Sequence, residues 1–372
     1  MSKNKIINNS KLITFFTISI SIIFISKAFI NLLDYGSDFE TSYILSKSFW
    51  NGIDVFTLKD KNTVYPHIWY ILLFPFKNFE YTTVKIIFFF LNLIFLFSSF
   101  YILKKKYNLS SIDTNILIIL SVTSTPVTNL LGIANLSIFA LFFLLVFNFY
   151  KSFFLKGLAI SFALVKYNVS FLFIIYLFIF KMYKTILVLI LINVISILFY
   201  FYYLDITNLL KIFEPIKSIF NLVDEQLELG TVGVNSGLFN LHNFFIYLNY
   251  DDYYYYSFIL LLIPSIYLIK FKIKSSEKIF IFILFLTAFL IYHQLYDFVI
   301  LIPILAYILK SKSEIRFFKF HLFVIIYIFH LYKINVMFNF PIDKDIYSII
   351  GMFLLITSSY LIVFKKNSQL IK

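Results

Sequence analysis

Between Leu12 and Phe364 the chain is a succession of apolar runs, separated by short polar or lysine-bearing breaks. About 20 apolar residues carry a helix across the hydrocarbon of a bilayer. Inside lipid only helices and closed barrels satisfy the backbone. Repeated runs near that length therefore predict an all-α, multi-pass integral membrane protein. A soluble fold is excluded by composition: 61 % of the residues are hydrophobic and 14 % charged, against roughly 25 % charged in soluble domains. Too few polar side chains remain to cover a water-exposed surface.

Lysine placement orients the runs. Basic residues favour the cytoplasmic flanks of membrane helices, which also accounts for the net charge of +13 without a nucleic-acid partner. Leu12–Ile30 is the first span, read as an uncleaved helix because no small-residue cleavage site follows it. Val84–Leu103 ends in Lys104, Lys105 and Lys106. Asn115–Leu131 and Ile133–Tyr150 form a hairpin around Thr125, Pro126 and Gly132. A single crossing by Gly157–Phe180 would put Lys181, Lys184 and the cluster Lys270, Lys272, Lys274 and Lys278 outside. Two half-spans, Leu158–Val165 and Val169–Phe180, turning at Lys166–Asn168, keep them inside. Thr185–Leu204, Tyr253–Ile269, Ile279–Tyr292, Phe298–Leu309, Phe320–Tyr332 and Ile346–Phe364 complete about 12 membrane segments. The result is one polytopic domain, 1–372, with both termini inside and long outer loops at 31–80 and 205–252.

The distinctive polar residues then gather on the outer side. Asp38–Trp50 has the pattern of an amphipathic helix, with Phe39, Tyr43, Leu45 or Ser46, and Phe49 on one stripe, closed by Asn51 and Gly52 and suited to the membrane surface. Tyr65-Pro66 and Phe74-Pro75 bound a short apolar segment. Asp34 and Asp38 follow the first span. A carboxylate at a membrane-edge cavity can act as a general base, and it can equally be a solvated loop acid or a helix cap. Lys166 lies inside an otherwise apolar stretch, able either to hold a phosphate oxygen or to anchor a turn by snorkelling. His293 and Asp297 are four apart, one helical turn. They could bind a phosphate or sugar hydroxyls, or simply hydrogen-bond each other. Asn235, Ser236 and Asn240 could meet a polar substrate or cap a helix. No set of three ligands at fixed spacing suggests a metal. The absence of cysteine removes thiol chemistry.

Six stretches, in order, carry a resemblance: GSDFETSYILSKSFWNGIDVF, VYPHIWYILLFPF, PVTNLLGIANLSIFAL, KGLAISFALVKYN, GVNSGLF and YHQLYDFVILIP. Over residues 34–303 the chain resembles polytopic membrane glycosyltransferases that use polyprenyl-phosphate sugars. These are the bacterial mannosyltransferase and arabinosyltransferase-like enzymes of the family-87 type. The resemblance implies a GT-C-like helical membrane fold and Asp38 as general base toward an acceptor hydroxyl. It implies Lys166 and His293 at the donor phosphate, with Asp34, Asn135, Asn235 and Asp297 contacting substrate. Many relatives have Gly-Gln where this chain reads Gly132-Ile133-Ala134-Asn135, and Lys-Pro where it reads Lys166-Tyr167.

The expected partners are a polyprenyl-phosphate-linked sugar, a lipid-linked or cell-surface glycan acceptor and membrane lipids. No cofactor is expected, since no Gly-rich nucleotide motif occurs. The expected location is the cell membrane, with the active site on the extracytoplasmic side. The alternatives are a transporter, whose broken helices would look similar, and a flippase or polymerase for lipid-linked glycans.

Overall fold

A computed structural model describes residues 3–34, 38–58, 65–218, 254–291, 295–310, 315–338 and 344–364. Among them there is no strand. The described residues up to Tyr203 form ten α-helices: α1 (Lys3–Asp34), α2 (Asp38–Trp50), α3 (His67–Leu72), α4 (Tyr81–Tyr107), α5 (Ser111–Val122), α6 (Thr125–Gly132), α7 (Ser137–Phe149), α8 (Phe153–Ala163), α9 (Tyr167–Ile179) and α10 (Tyr183–Tyr203). The described remainder supplies α11 (Tyr254–Tyr267), α12 (Ser276–Leu290), α13 (Ile302–Lys310), α14 (Ile315–Phe338) and α15 (Lys344–Phe364).

Among the described residues four helical runs are long and apolar enough to cross a membrane: Lys11–Asp34, Tyr81–Tyr107, Phe153–Ile179 and Tyr183–Tyr203. The bent pair α5–α6 makes a fifth. Outward faces of these helices carry many large apolar side chains, such as Phe15, Ile22 and Ile23 on α1 and Leu187, Ile190 and Leu198 on α10, each more than half exposed. A soluble monomer does not present apolar surface on that scale. The chain is a multi-pass membrane protein.

The expected single span Asn115–Leu131 is instead two helices meeting at 59°. Ser124 causes the break by leaving helical geometry and capping α6, its side chain accepting from the Val127 N–H, with Pro126 in the first turn. A proline there costs nothing, because that N–H has no helical partner.

Side-chain contacts fix the direction of each helix. Asn115 donates to Thr14 at 3.0 Å, and Gly132 lies against Asn31 and Ala28, so α5–α6 climbs alongside α1. Lys85, near the start of α4, donates to the Leu32 carbonyl at 2.6 Å; α4 therefore runs back down. The last turn of α4 carries Lys104, Lys105 and Lys106. Lys106 sits over Phe149, Lys156 over Phe147, Lys184 over Phe153 and Lys310 over Tyr107. Lysines thus line one end of the bundle.

The run Phe153–Ile179 could cross once by length alone, but it folds back. The Phe147 ring meets Lys156 of α8 at 5.7 Å and Tyr176 of α9 at 5.9 Å. A straight helix would separate those two residues by about 30 Å. Reversal happens at the 3₁₀ turn Leu164–Lys166, where Lys166 takes φ −115°, ψ 79°. Ser170 closes the turn, its hydroxyl 3.0 Å from the carbonyls of Ala163 and Lys166. A second return follows α12: Lys310 pairs with Glu277 at 2.8 Å, so the chain runs back from the 3₁₀ turn Leu295–Leu301 through α13 to the lysine end.

Helix α2 has the expected bounds. Its stripe Phe39, Tyr43, Leu45, Ser46 and Phe49 is buried, and it packs on protein rather than lying only against lipid. Phe39 stacks on Phe88 of α4, and Phe49 on Tyr200 of α10. The short segment between the two prolines is α3, with His67, Ile68, Trp69 and Tyr70 buried.

Candidate functional site

Three interruptions in helices meet at the end of the bundle opposite the lysines. The first is the turn 133–136 between α6 and α7, which needs Ala134 at φ +51°. The second is the reversal at Lys166. The third is the 3₁₀ turn Leu295–Leu301, which packs on α6 and α7. Non-helical backbone at membrane depth is tolerated where protein surrounds it, and each break brings polar side chains inward.

Asp297 is the hub, 1 % exposed. Its Oδ2 accepts from the Asn168 side chain at 2.8 Å. Its Oδ1 meets the Ser137 hydroxyl and lies 3.5 Å from Lys166 Nζ. Ser137 in turn reaches Asn135: its backbone N–H donates to Asn135 Oδ1 at 2.9 Å, and its hydroxyl is 2.7 Å from the same atom. Asn92 of α4 donates to the Asn135 carbonyl at 3.0 Å. A buried carboxylate held by several donors and a nearby cation is costly to break, typically 3–5 kcal/mol on removing one partner.

Of the residues singled out in the sequence, the structure joins Asn135, Lys166 and Asp297 in this cluster. Lys166 is therefore not a lone snorkelling lysine; it is 15 % exposed beside a buried acid. Asp297 belongs to a 3₁₀ turn, so the α-helical face postulated for His293 and Asp297 does not form over Leu295–Leu301. His293 and Asn235 lie outside the described residues. Asp34 ends α1 exposed to solvent and makes no contact with the cluster. Asp38 opens α2, which lies at the same end of the bundle; its side chain is outside the description. Ser137, Asn168 and Asn92 were not anticipated, although Ser137 and Asn168 sit inside two of the quoted stretches. Among the described residues no three His, Asp or Glu side chains gather as metal ligands.

A second polar group ties the outer loops together beside α3. Asp54 caps the turn Val55–Thr57, accepts from Tyr200 at 3.0 Å and pairs with Lys211. Tyr200 accepts from the Val55 N–H at 3.1 Å. His67 packs edge-on to Tyr200 at 4.7 Å with no partner for its Nε2. Burial lowers its pKa to about 4, partly opposed by the charge of Asp54, so it is neutral at pH 7. Trp69 connects this loop to the cluster, its ring 5.8 Å from Phe139, two residues beyond Ser137.

Neither a curated protein nor a solved structure matches the chain. Residues 63–236, which carry Asn135, Ser137, Lys166 and Asn168, match the model of Glycosyltransferase family 87, so this part of the chain is similar to that family.

Proposed function

We propose that the protein moves a hexosyl residue, of the mannosyl type, from a polyprenyl-phosphate donor to a hydroxyl of a lipid-linked or cell-surface glycan. The observation that carries this reading is the convergence of three helix breaks on Lys166, Asn135 and Asp297 at the end of the bundle that also receives α2 and α3. A glycosyltransferase with a lipid donor needs a polar site within reach of the membrane, and no other described polar cluster draws on as many transmembrane elements.

In this reading the lysine-lined end faces the cytoplasm and the cluster opens to the extracytoplasmic side. Asp38 removes the proton of the acceptor hydroxyl as that oxygen attacks the anomeric carbon. The bond from that carbon to the phosphate oxygen breaks, with inversion. The departing lipid phosphate is already an anion and needs positive charge more than a proton. Lys166 supplies it, helped by His293. Asp34, Asn135, Asn235 and Asp297 contact the sugars.

Purified protein in vesicles, given polyprenyl-phosphate mannose and a lipid-linked glycan acceptor, is expected to form a covalently extended product detectable by mass spectrometry. Movement of lipid or solute across the vesicle with no new glycosidic bond would instead favour the transporter or flippase alternative. A reporter inserted after Leu227 tests orientation: cytoplasmic exposure there overturns the extracytoplasmic site.

A further inference from the structure

Among the described residues Lys85 is a buried cation without a carboxylate partner. It is 7 % exposed. Its Nζ donates to the Leu32 carbonyl, in the last turn of α1, at 2.6 Å and lies 5.7 Å from the centre of the Tyr81 ring. The ion pairs among those residues are Lys166–Asp297, Lys211–Asp54 and Lys310–Glu277. A carbonyl in the last turn of a helix has no helical partner, so one N–H of Lys85 caps α1. That contact needs a donor and not a full charge. An ammonium has three donors, and a buried charge with no counter-charge is costly. A neutral donor would cap α1 without that cost.

Position shows where an anion would come from. Lys85 is the fifth residue of α4, level with the end of α1, and Leu33, Asp34, Thr82 and Thr83 on the same two helix ends are exposed. This is the depth at which apolar helix gives way to the headgroup region of a bilayer. Seven residues further along α4, Asn92 donates to the Asn135 carbonyl. Seven residues are two turns, so Lys85 and Asn92 share a face about 10 Å apart along the axis, with Phe88 between them. Phe88 meets Trp69 edge-on at 6.0 Å, and Trp69 meets Phe139 at 5.8 Å. Trp69 is 2 % exposed and its Nε1 has no hydrogen-bond partner, which is expensive inside a protein. An unpaired N–H thus stands between the buried cation and the Asp297 cluster.

The sugar donor carries one phosphate, bonded to the carbon under attack, and Lys166 meets it in the transferase reading. A cation two helical turns further out serves a different anion. We propose that Lys85 and Trp69 form the acceptor subsite. Lys85 takes a phosphate of the acceptor's lipid anchor, and the Trp69 N–H takes a hydroxyl of the short glycan that leads from that phosphate to the reacting hydroxyl. The acceptor is then an anionic, phosphate-bearing glycolipid. Its role as acceptor rests on the transferase reading; the phosphate site does not. No bond of that phosphate is made or broken.

Calorimetry on the full chain in uncharged micelles tests the site with dihexanoylphosphatidylglycerol, uncharged dihexanoylglycerol and inorganic phosphate as probes. The wild type is expected to bind the phosphodiester lipid. Lys85→Gln keeps an N–H for Leu32 and drops the charge, so it should weaken binding about tenfold or more, whereas Lys85→Arg should retain it. No binding to the wild type, equal binding of the uncharged lipid, or unchanged binding in Lys85→Gln overturns the site. Inorganic phosphate bound as tightly as the lipid overturns the lipid anchor. Kinetics with polyprenyl-phosphate mannose and a lipid-linked glycan supply the second arm. Lys85→Gln should raise the acceptor KM about tenfold, and Trp69→Phe, which keeps the ring, about fivefold, the equivalent of one neutral hydrogen bond. Donor KM should stay unchanged in both. An unaltered acceptor KM in Trp69→Phe overturns the subsite even where Lys85→Gln does not fold. An unaltered acceptor KM in Lys85→Gln with a shifted pH profile of kcat would assign Lys85 to Asp38 instead, and overturns it too. Lipid binding that depends on Lys85 in a protein that transfers no sugar removes the transferase reading and leaves the phosphate site standing.

Discussion

Asn168 donates to Asp297 at 2.8 Å across 129 positions of sequence. The bond ties the reversal at Lys166 to the turn that follows α12, and it fixes the carboxyl face to which Lys166 lies adjacent. Two segments that each fold back on themselves are thereby locked at their tips. A site built on such tips is held by packing on both sides, which suits the pre-organisation that charge stabilisation demands.

Lys166→Ala removes the cation at this junction. The expected result is a rise in donor KM of roughly tenfold or more, the loss of one charge-assisted contact to phosphate, with acceptor KM unchanged. Initial-rate kinetics with each substrate varied in turn make the comparison. Unaltered donor dependence would mean that Lys166 does not meet the phosphate.

Asp38→Asn is expected to reduce transfer by at least about a hundredfold, the usual scale of general-base catalysis, while the purified protein keeps its helical content and thermal stability. The acid sits at the first residue of α2, a helix anchored through Phe39 and Phe49, so the substitution leaves the anchoring stripe intact. Normal turnover in a folded Asp38→Asn protein removes it as the base.

The membrane class, the bounds of α2 and the two folded-back pairs were legible because each follows from a local pattern. Apolar run length gives the spans, a 3.6-residue stripe gives α2, and lysines that would otherwise lie on the wrong side give the reversal at Lys166. The bend at Ser124 was less legible, since a capping serine inside an apolar run gives only a weak signal. Cluster membership could not be read at all for Ser137, Asn168 and Asn92. A serine or asparagine in an apolar stretch has many ordinary roles, and only tertiary structure shows that positions 137, 168 and 297 share one point. Asp54 was hidden for the same reason, its partners Tyr200 and Lys211 lying 146 and 157 positions away.

Gly157 marks how closely α8 and α10 approach. A Cβ there would stand 2.5 Å from Val188 Cβ and 3.0 Å from the Thr185 carbonyl, and small residues are what allow such contact between membrane helices. Gly157→Ala should destabilise by about 1–3 kcal/mol through overpacking. Val188→Gly removes that Cβ together with the rest of the side chain, so the double variant should be more stable than the sum of the two single losses predicts. Reversible unfolding in mixed micelles measures all three. Strict additivity would mean that the two helices can separate freely at this point.

His67 makes stability depend on acidity. Its pKa is lowered to about 4, chiefly by burial and against a smaller opposing effect of Asp54, whereas in the unfolded chain it titrates near the ordinary value of about 6.5. Between these values the unfolded chain binds the extra proton, so stability rises with pH across the window and falls as the solution is acidified through it. Above about pH 6.5 the full stability is present. Toward pH 4 roughly 3 kcal/mol should be lost from this group. His67→Phe keeps an aromatic ring against Tyr200 and cannot take up a proton, so its unfolding free energy should lose that slope between pH 6.5 and 4. A variant whose pH profile overlays the wild type would show that His67 is not the group responsible.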